Sequence, residues 1–201
     1  MSGRLVLATR NAHKLGELRR ILDEAGLEVE LVGVDAFPGV ADVAETGTTF
    51  AENALLKAHA TAQATGLPAV ADDSGLCVEV LGGMPGVFSA RWSGQHGADR
   101  ANLELVLAQI ADLPDERRTA HFTCAAAIAF PDGTDRVVEG FLHGTLLRSS
   151  RGTGGFGYDP IFLPDGGSRT TAELEPAEKD AISHRGQAFR ALAVELATLA
   201  I

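Results

Sequence analysis

Cysteine is scarce in this 201-residue chain: only Cys77 and Cys124 occur, both in apolar runs and in no CxxC or CxxC…H spacing. A disulfide framework and a zinc site are therefore not expected, and the usage fits a reducing compartment. Long apolar runs are missing as well. No stretch approaches the 18 residues of a membrane span, and the opening MSGRLVLAT has too short an apolar segment for a signal peptide. The expected location is the cytoplasm. Positive charge is in short supply, with 17 Lys and Arg against 27 Asp and Glu and a formal net charge of −10. Such a field repels DNA and anionic membranes on average, so a bound anion needs the few cations concentrated in one pocket. G-x-S-x-G and H-E-x-x-H are absent, which sets aside serine and zinc hydrolysis, and so are Walker A and G-x-G-x-x-G.

What is present is a balanced globular composition, 45% hydrophobic and 22% charged. For this mass, about 70% of the unfolded surface would be buried, enough for a full core. No linker divides the chain, so residues 1–201 are expected to form a single domain. Arg4 to Thr9 and Val29 to Val34 read as strands around a helix with Leu15, Leu18 and Leu22 at helical spacing. A second helix is expected from about Thr49 to Thr65. Ala69 to Ala71 and Leu76 to Val80 read as strands on either side of a polar Asp72-Asp73-Ser74-Gly75 turn, and Leu103 to Ile110 as a third helix. Thr119 to Phe130 and Arg136 to Leu147 form a hairpin around Pro131-Asp132-Gly133-Thr134, and a last helix follows Ser183. The expected fold is α/β with a mixed sheet flanked by helices.

Four constellations carry chemistry. Thr9-Arg10-Asn11-Ala12-His13-Lys14 places three cations in or beside a helix N-terminus, where the macrodipole opposes them unless an anion binds. A solvated helix start is the plainer alternative. Lys179 and Ser183-His184-Arg185 repeat the pattern at the last helix. Asp72 and Asp73 stand side by side, and a hard cation such as Mg²⁺ would relieve their repulsion; an ordinary Asp-Ser-Gly turn is the alternative. Glu45, Glu52, Asn53 and Lys57 can join the same polar wall. Finally, Gly152 to Pro160 sets Phe156 and Tyr158, the single tyrosine, in a glycine-rich loop suited to stacking on a base. A tight turn pinning both aromatics into the core is the other reading.

In this order the segments LVLATRNAHK (5–14), ETGTTFAENALLKA (45–58), ADDSGL (71–76), GGMPGVFSARWSG (82–94), GTGGFGYDPIF (152–162) and SHRGQA (183–188) resemble the inosine/xanthosine triphosphate pyrophosphatase family. The likeness runs from the first strand to the last helix. Arg10, Ala12 and His13 fill variable positions of a T-x-N-x-x-K turn. The resemblance implies an elongated mixed β-sheet flanked by helices with a nucleotide-binding cleft, and hydrolysis of dITP, ITP and XTP to the monophosphate and pyrophosphate, with Mg²⁺, by a homodimer. It implies that Thr9, Arg10, Asn11, Ala12, His13 and Lys14 hold the triphosphate, that Glu45 and Asp73 bind Mg²⁺, and that Asp73 is also the general base, with Asp72 in support. Ser74 would touch substrate, with Lys57 a further candidate for the phosphates. Phe156, Gly157, Tyr158 and Asp159 would hold the base, and Lys179, His184 and Arg185 would complete the pocket. Two competing readings keep part of this machinery. One is a pyrophosphatase for pyrimidine or modified nucleotides, which the Ser183-His184-Arg185 motif disfavours. The other is a nucleotide sensor without turnover, which the pairing of Glu45 with Asp73 disfavours.

Overall fold

The computed structural model describes residues 3–199, and within them every side chain except those of Ala12 and His13. The chain runs β1 (Gly3–Leu7), α1 (Ala12–Glu24), β2 (Val29–Gly33), α2 (Phe50–Thr65), β3 (Ala69–Val78), α3 (Asp99–Gln109), β4 (Thr119–Ala129), β5 (Asp135–Leu146), β6 (Phe162–Pro164), α4 (Pro176–Ile182) and α5 (His184–Thr198). The strands form one six-stranded sheet in the order β2-β1-β3-β4-β5-β6. β1 pairs parallel with β2 and β3, whereas β5 pairs antiparallel with β6, so the sheet is mixed as the βα units and the hairpin predict.

The chain divides into two compact units. The first holds Met1–Asp73, Cys124–Gly140 and His184–Ile201, the second Ser74–Thr123 and Phe141–Ser183. β3, β4 and β5 each pass from one unit into the other along the chain.

In the first unit the core is built by apolar strand residues and helix stripes. Leu5, Leu7 and Val70 meet Leu18 and Leu22 of α1 and Phe189, Leu192 and Leu196 of α5, all fully or almost fully buried. Each such side chain contributes about 1.5–3 kcal/mol by leaving water. The fourth residue of the α5 stripe, Leu199, packs at the margin. Gly140 matters here, because a β-carbon on it would lie 2.2 Å from the His184 carbonyl oxygen and 2.6 Å from the Ala188 nitrogen. Only glycine lets β5 run this close to the start of α5. The N-terminus of α2 is set by Thr49, whose Oγ1 accepts from the Glu52 amide at 3.1 Å, and its end by Gly66 at φ 69°.

The second unit has its own core. Leu76 and Val78 pack with Leu103, Val106 and Ile110 of α3, with Phe122 and Leu146, and with Tyr158, Ile161 and Phe162. Arg118 is buried among these elements. Its guanidinium donates to the carbonyls of Ile110, Leu146 and Leu147 at 2.6–2.9 Å, satisfying the end of α3 and the end of β5.

Two expectations change. The strand pair interrupted at Asp72-Asp73-Ser74-Gly75 is one continuous ten-residue strand, β3. Turn-forming residue types were overridden by sheet pairing and burial, as strand propensity commonly is. α4 and the short β6 were not expected, since neither has enough residues to display a period.

Candidate active site

Because β3 continues through Asp72 and Asp73, the two carboxylates leave opposite faces of the strand. They do not need one shared cation between them; each has its own partners. Asp72 is buried and takes Lys14 Nζ at 2.8 and 2.9 Å on its two oxygens and Arg185 Nε at 3.2 Å. Burial alone would raise its pKa, but Lys14 and Arg185 outweigh that and hold it well below the usual carboxylate range. The same pairing raises the Arg185 pKa against the opposing effect of burial. Lys14 from α1 and Arg185 from α5 are thus tied to one carboxylate on the strand between them in sequence.

Asp73 meets a different set. Lys57 Nζ lies 3.4 Å from Asp73 Oδ1 and 2.8 Å from Glu45 Oε1, so two carboxylates converge on one ammonium. The fully buried Asn53 joins them through both ends of its amide. Its Nδ2 donates to Asp73 Oδ2 at 3.0 Å, while its Oδ1 accepts from the Gly47 amide at 2.8 Å and so fixes the loop that carries Glu45. A β-carbon at residue 47 would sit 2.7 Å from that Oδ1, which explains the glycine. Burial raises the Asp73 pKa, Glu45 adds to the rise, and Lys57 and Asn53 oppose it without cancelling it. Lys57 itself is kept protonated, since Asp73 and Glu45 overcome its own burial. Glu52 does not join this wall: its carboxylate turns back to accept from the Thr48 amide and hydroxyl at 2.6 and 2.9 Å.

The Thr9–Lys14 turn is neither a simple solvated start nor a row of unanswered cations. Lys14 points inward to Asp72. Arg10 is half-exposed and paired with Asp35 and Asp42, with its NH2 also donating to the Val40 carbonyl at 3.3 Å. Thr9 Oγ1 accepts from the Asn11 amide at 3.2 Å, and the Asn11 carbonyl accepts from the Leu15 amide, closing the first turn of α1. The side chains of Ala12 and His13 lie outside the described residues.

In the second unit the glycine loop is held on several sides. Tyr158 is buried in the core and its hydroxyl donates to the Ser89 carbonyl at 2.9 Å, with burial pushing the phenol upward in pKa. Its ring is an anchor, as the plainer reading has it, and is not an open stacking face. Phe156 is the opposite case at 60% exposed, with Lys179 Nζ 5.1 Å from its ring centroid. The Gly157 amide donates to Asp99 Oδ2 at 2.9 Å. Asp159 is buried and accepts from the Phe156 amide at 2.8 Å, from Lys179 Nζ and from Thr171 Oγ1. Thr171 gave no signal in the sequence. Ser74 and His184 are half-buried, Ser74 on β3 and His184 as the first residue of α5.

The sequence profile of the Ham1 family matches residues 5–195. The chain belongs to the Ham1 family. Among similar proteins, the dITP/XTP pyrophosphatase of Streptomyces coelicolor is 71% identical over 189 residues, 94% of each chain, and that of Nocardia farcinica is 60% identical across 98% of this chain and 96% of its own. A HAM1 protein from Coxiella burnetii superposes with a TM-score of 0.90 at 42% identity, covering 98% of this chain and 99% of its own. A nucleoside-triphosphatase/dITP/XTP pyrophosphatase from Mycobacterium abscessus gives 0.80 at 54% identity over 94% and 98%. In this Ham1 chain, no cluster of three or more His, Cys, Asp or Glu able to hold a metal occurs among the described residues. Mg²⁺ asks for less: one or two carboxylates, completed by water and substrate phosphates. Glu45 and Asp73, hard oxygen donors already converging on one positive charge, fit that requirement.

Proposed function

We propose that this chain hydrolyses noncanonical purine nucleoside triphosphates (dITP, ITP and XTP) to the nucleoside monophosphate and pyrophosphate. The names carried by relatives 54–71% identical support the reaction class and the purine preference. The observation that carries the reading is the division of labour on β3: Asp72 neutralised by Lys14 and Arg185, and Asp73 converging with Glu45 on the single ammonium of Lys57.

Glu45 and Asp73 would hold Mg²⁺, which when bound neutralises phosphate charge. Asp73 orients the attacking water and accepts its proton; a carboxylate that also holds Mg²⁺ is a weak base, so positioning the water counts as much as basicity. The water oxygen bonds to the α-phosphorus, the bond from that phosphorus to the bridging oxygen breaks, and pyrophosphate leaves. Thr9 to Lys14 bind the triphosphate, with Lys14 as the main cation and Lys57 as a further one. Phe156 supplies the stacking face, Gly157 to Asp159 and Lys179 shape the base end, and Ser74 touches substrate. His184 or Arg185 donates to the purine 6-oxygen. With ATP that donor meets an amino group instead, and an unpaired buried donor discriminates by about 10⁴-fold. We further read the protein as a cytoplasmic homodimer whose chain works as one domain. Its low cysteine content and family resemblance support that, and a single calorimetric transition together with a dimer mass in sedimentation would test it.

The deciding experiment is product analysis with ITP, XTP, GTP and ATP, in Mg²⁺ and in EDTA. Metal-dependent pyrophosphate from ITP and XTP, with little from ATP or GTP, is the expected result. Orthophosphate in its place would move the attack off the α-phosphorus. Binding of ITP without any release would make the protein a sensor.

A further inference from the structure

The glycine loop is braced by a segment that none of the motifs includes. Thr170 Oγ1 donates to the Arg151 carbonyl at 2.9 Å, and the Ala172 carbonyl accepts from the Gly154 amide at 3.0 Å. Between them stands Thr171, 1% exposed, whose hydroxyl lies 2.8 Å from Asp159 Oδ1 and 3.1 Å from the Asp159 carbonyl oxygen. Its one proton goes to the nearer and charged acceptor. The other carboxylate oxygen, Oδ2, receives both the Phe156 amide and the Lys179 ammonium. The rotation of one carboxylate therefore decides where the Phe156 backbone and the Lys179 head group sit. The space is tight: a β-carbon at residue 155 would come within 2.1 Å of Oδ2. Thr171 is too buried for solvent to replace its hydroxyl.

We propose that Thr171 is a positioning residue for the purine end of the substrate, acting through Asp159 to fix the Phe156 stacking face and the Lys179 ammonium. This inference rests on the functional reading above. It predicts an effect on the base end with none on the phosphates or the bond-breaking step.

The test uses the full chain with Mg²⁺ and three variants, Thr171→Val, Thr171→Ala and Thr171→Ser. The valine and alanine variants are expected to raise KM for ITP about tenfold, as for loss of one hydrogen bond to a charged group. Their kcat should stay within about twofold, and competitive inhibition by inorganic tripolyphosphate, which has no base, should not change. In the ligand-free protein, hydrogen exchange of the Phe156 amide should quicken by about tenfold or more. Serine should restore both KM and protection. The alanine variant keeps the test open if valine does not fold. Unchanged Phe156 exchange, a serine variant as defective as valine, or a joint loss of kcat and tripolyphosphate inhibition would each overturn the inference. Absence of pyrophosphate release by the wild type, with the exchange pattern as expected, would instead sink the functional reading and with it the purine role, leaving Thr171 as a brace of Asp159 alone.

Discussion

Asp73 in the first unit, half-buried, and Asp159 in the second, buried, are carboxylates that each meet a lysine, yet they are finished differently. Asp159 has donors on both oxygens: Thr171 on one, Lys179 and the Phe156 amide on the other. Asp73 also has a donor on each oxygen, Lys57 and Asn53, but it shares its lysine with Glu45, so two negative groups converge on one ammonium. A carboxylate with a lysine of its own holds a shape. One that shares its lysine with a second carboxylate is placed to hold a cation, which is what hydrolysis at a phosphorus needs.

The contrast can be broken by mutation, and the largest effect belongs to the carboxylate assigned to chemistry. Asp73→Asn should lower kcat for ITP by about 10³-fold, the scale of a lost general base, while the dissociation constant for ITP stays within about tenfold. Near-normal turnover would take the base role from Asp73 and erase the distinction. Next comes its neighbour. Asp72→Asn removes a partner of both Lys14 and Arg185, and breaking an ion pair at a buried carboxylate costs about 3–5 kcal/mol of stability. Because the folded-state pKa of Asp72 is depressed, its contribution is complete above the unfolded carboxylate value of about 4 and fades as pH falls below it. Urea titrations should therefore show the largest gap between wild type and variant at neutral pH and a narrowing one in acid. A gap that does not vary with pH would mean that the ion pairs are not its source. The smallest effect on the fold falls in the second unit. Phe156→Ala should leave stability within about 0.5 kcal/mol, since the ring is exposed, and yet raise KM for ITP about tenfold through lost stacking. If stability fell as much as binding, Phe156 would belong with Tyr158 among the anchors.

The two units also differ in how far they could be read from the residues. In the first, elements are long and periodic: the leucines of α1 and the Phe189, Leu192 and Leu196 stripe of α5 announce their buried faces. The grouping of Glu45, Asn53 and Lys57 with Asp73 was legible because Asn53 and Lys57 are one helical turn apart. Glu52 was misjudged because helix starts recruit a glutamate for capping at that very position. In the second unit the loop from Gly152 to Asp159 has no period, and its two aromatics could not be told apart. Tyr158 became an anchor and Phe156 an exposed face because of Ser89, 69 residues from Tyr158 in the chain. Thr171 was invisible for the same reason, since a lone threonine in an irregular segment carries no local signal.

Sequence alone determined the mixed α/β class, the helices with strong stripes, the family resemblance and the residue types available for chemistry, because these depend on local periodicity and on motif order. Tertiary structure decided that β3 runs unbroken through Asp72 and Asp73, that the two carboxylates part to opposite faces, and that each receives different cations. Those outcomes depend on strand pairing and on charges brought together across more than a hundred residues, from Asp72 to Arg185. Those neighbours are what set the two apart: burial raises both pKa values, and the cations gathered on Asp72 overcome it there while those near Asp73 do not.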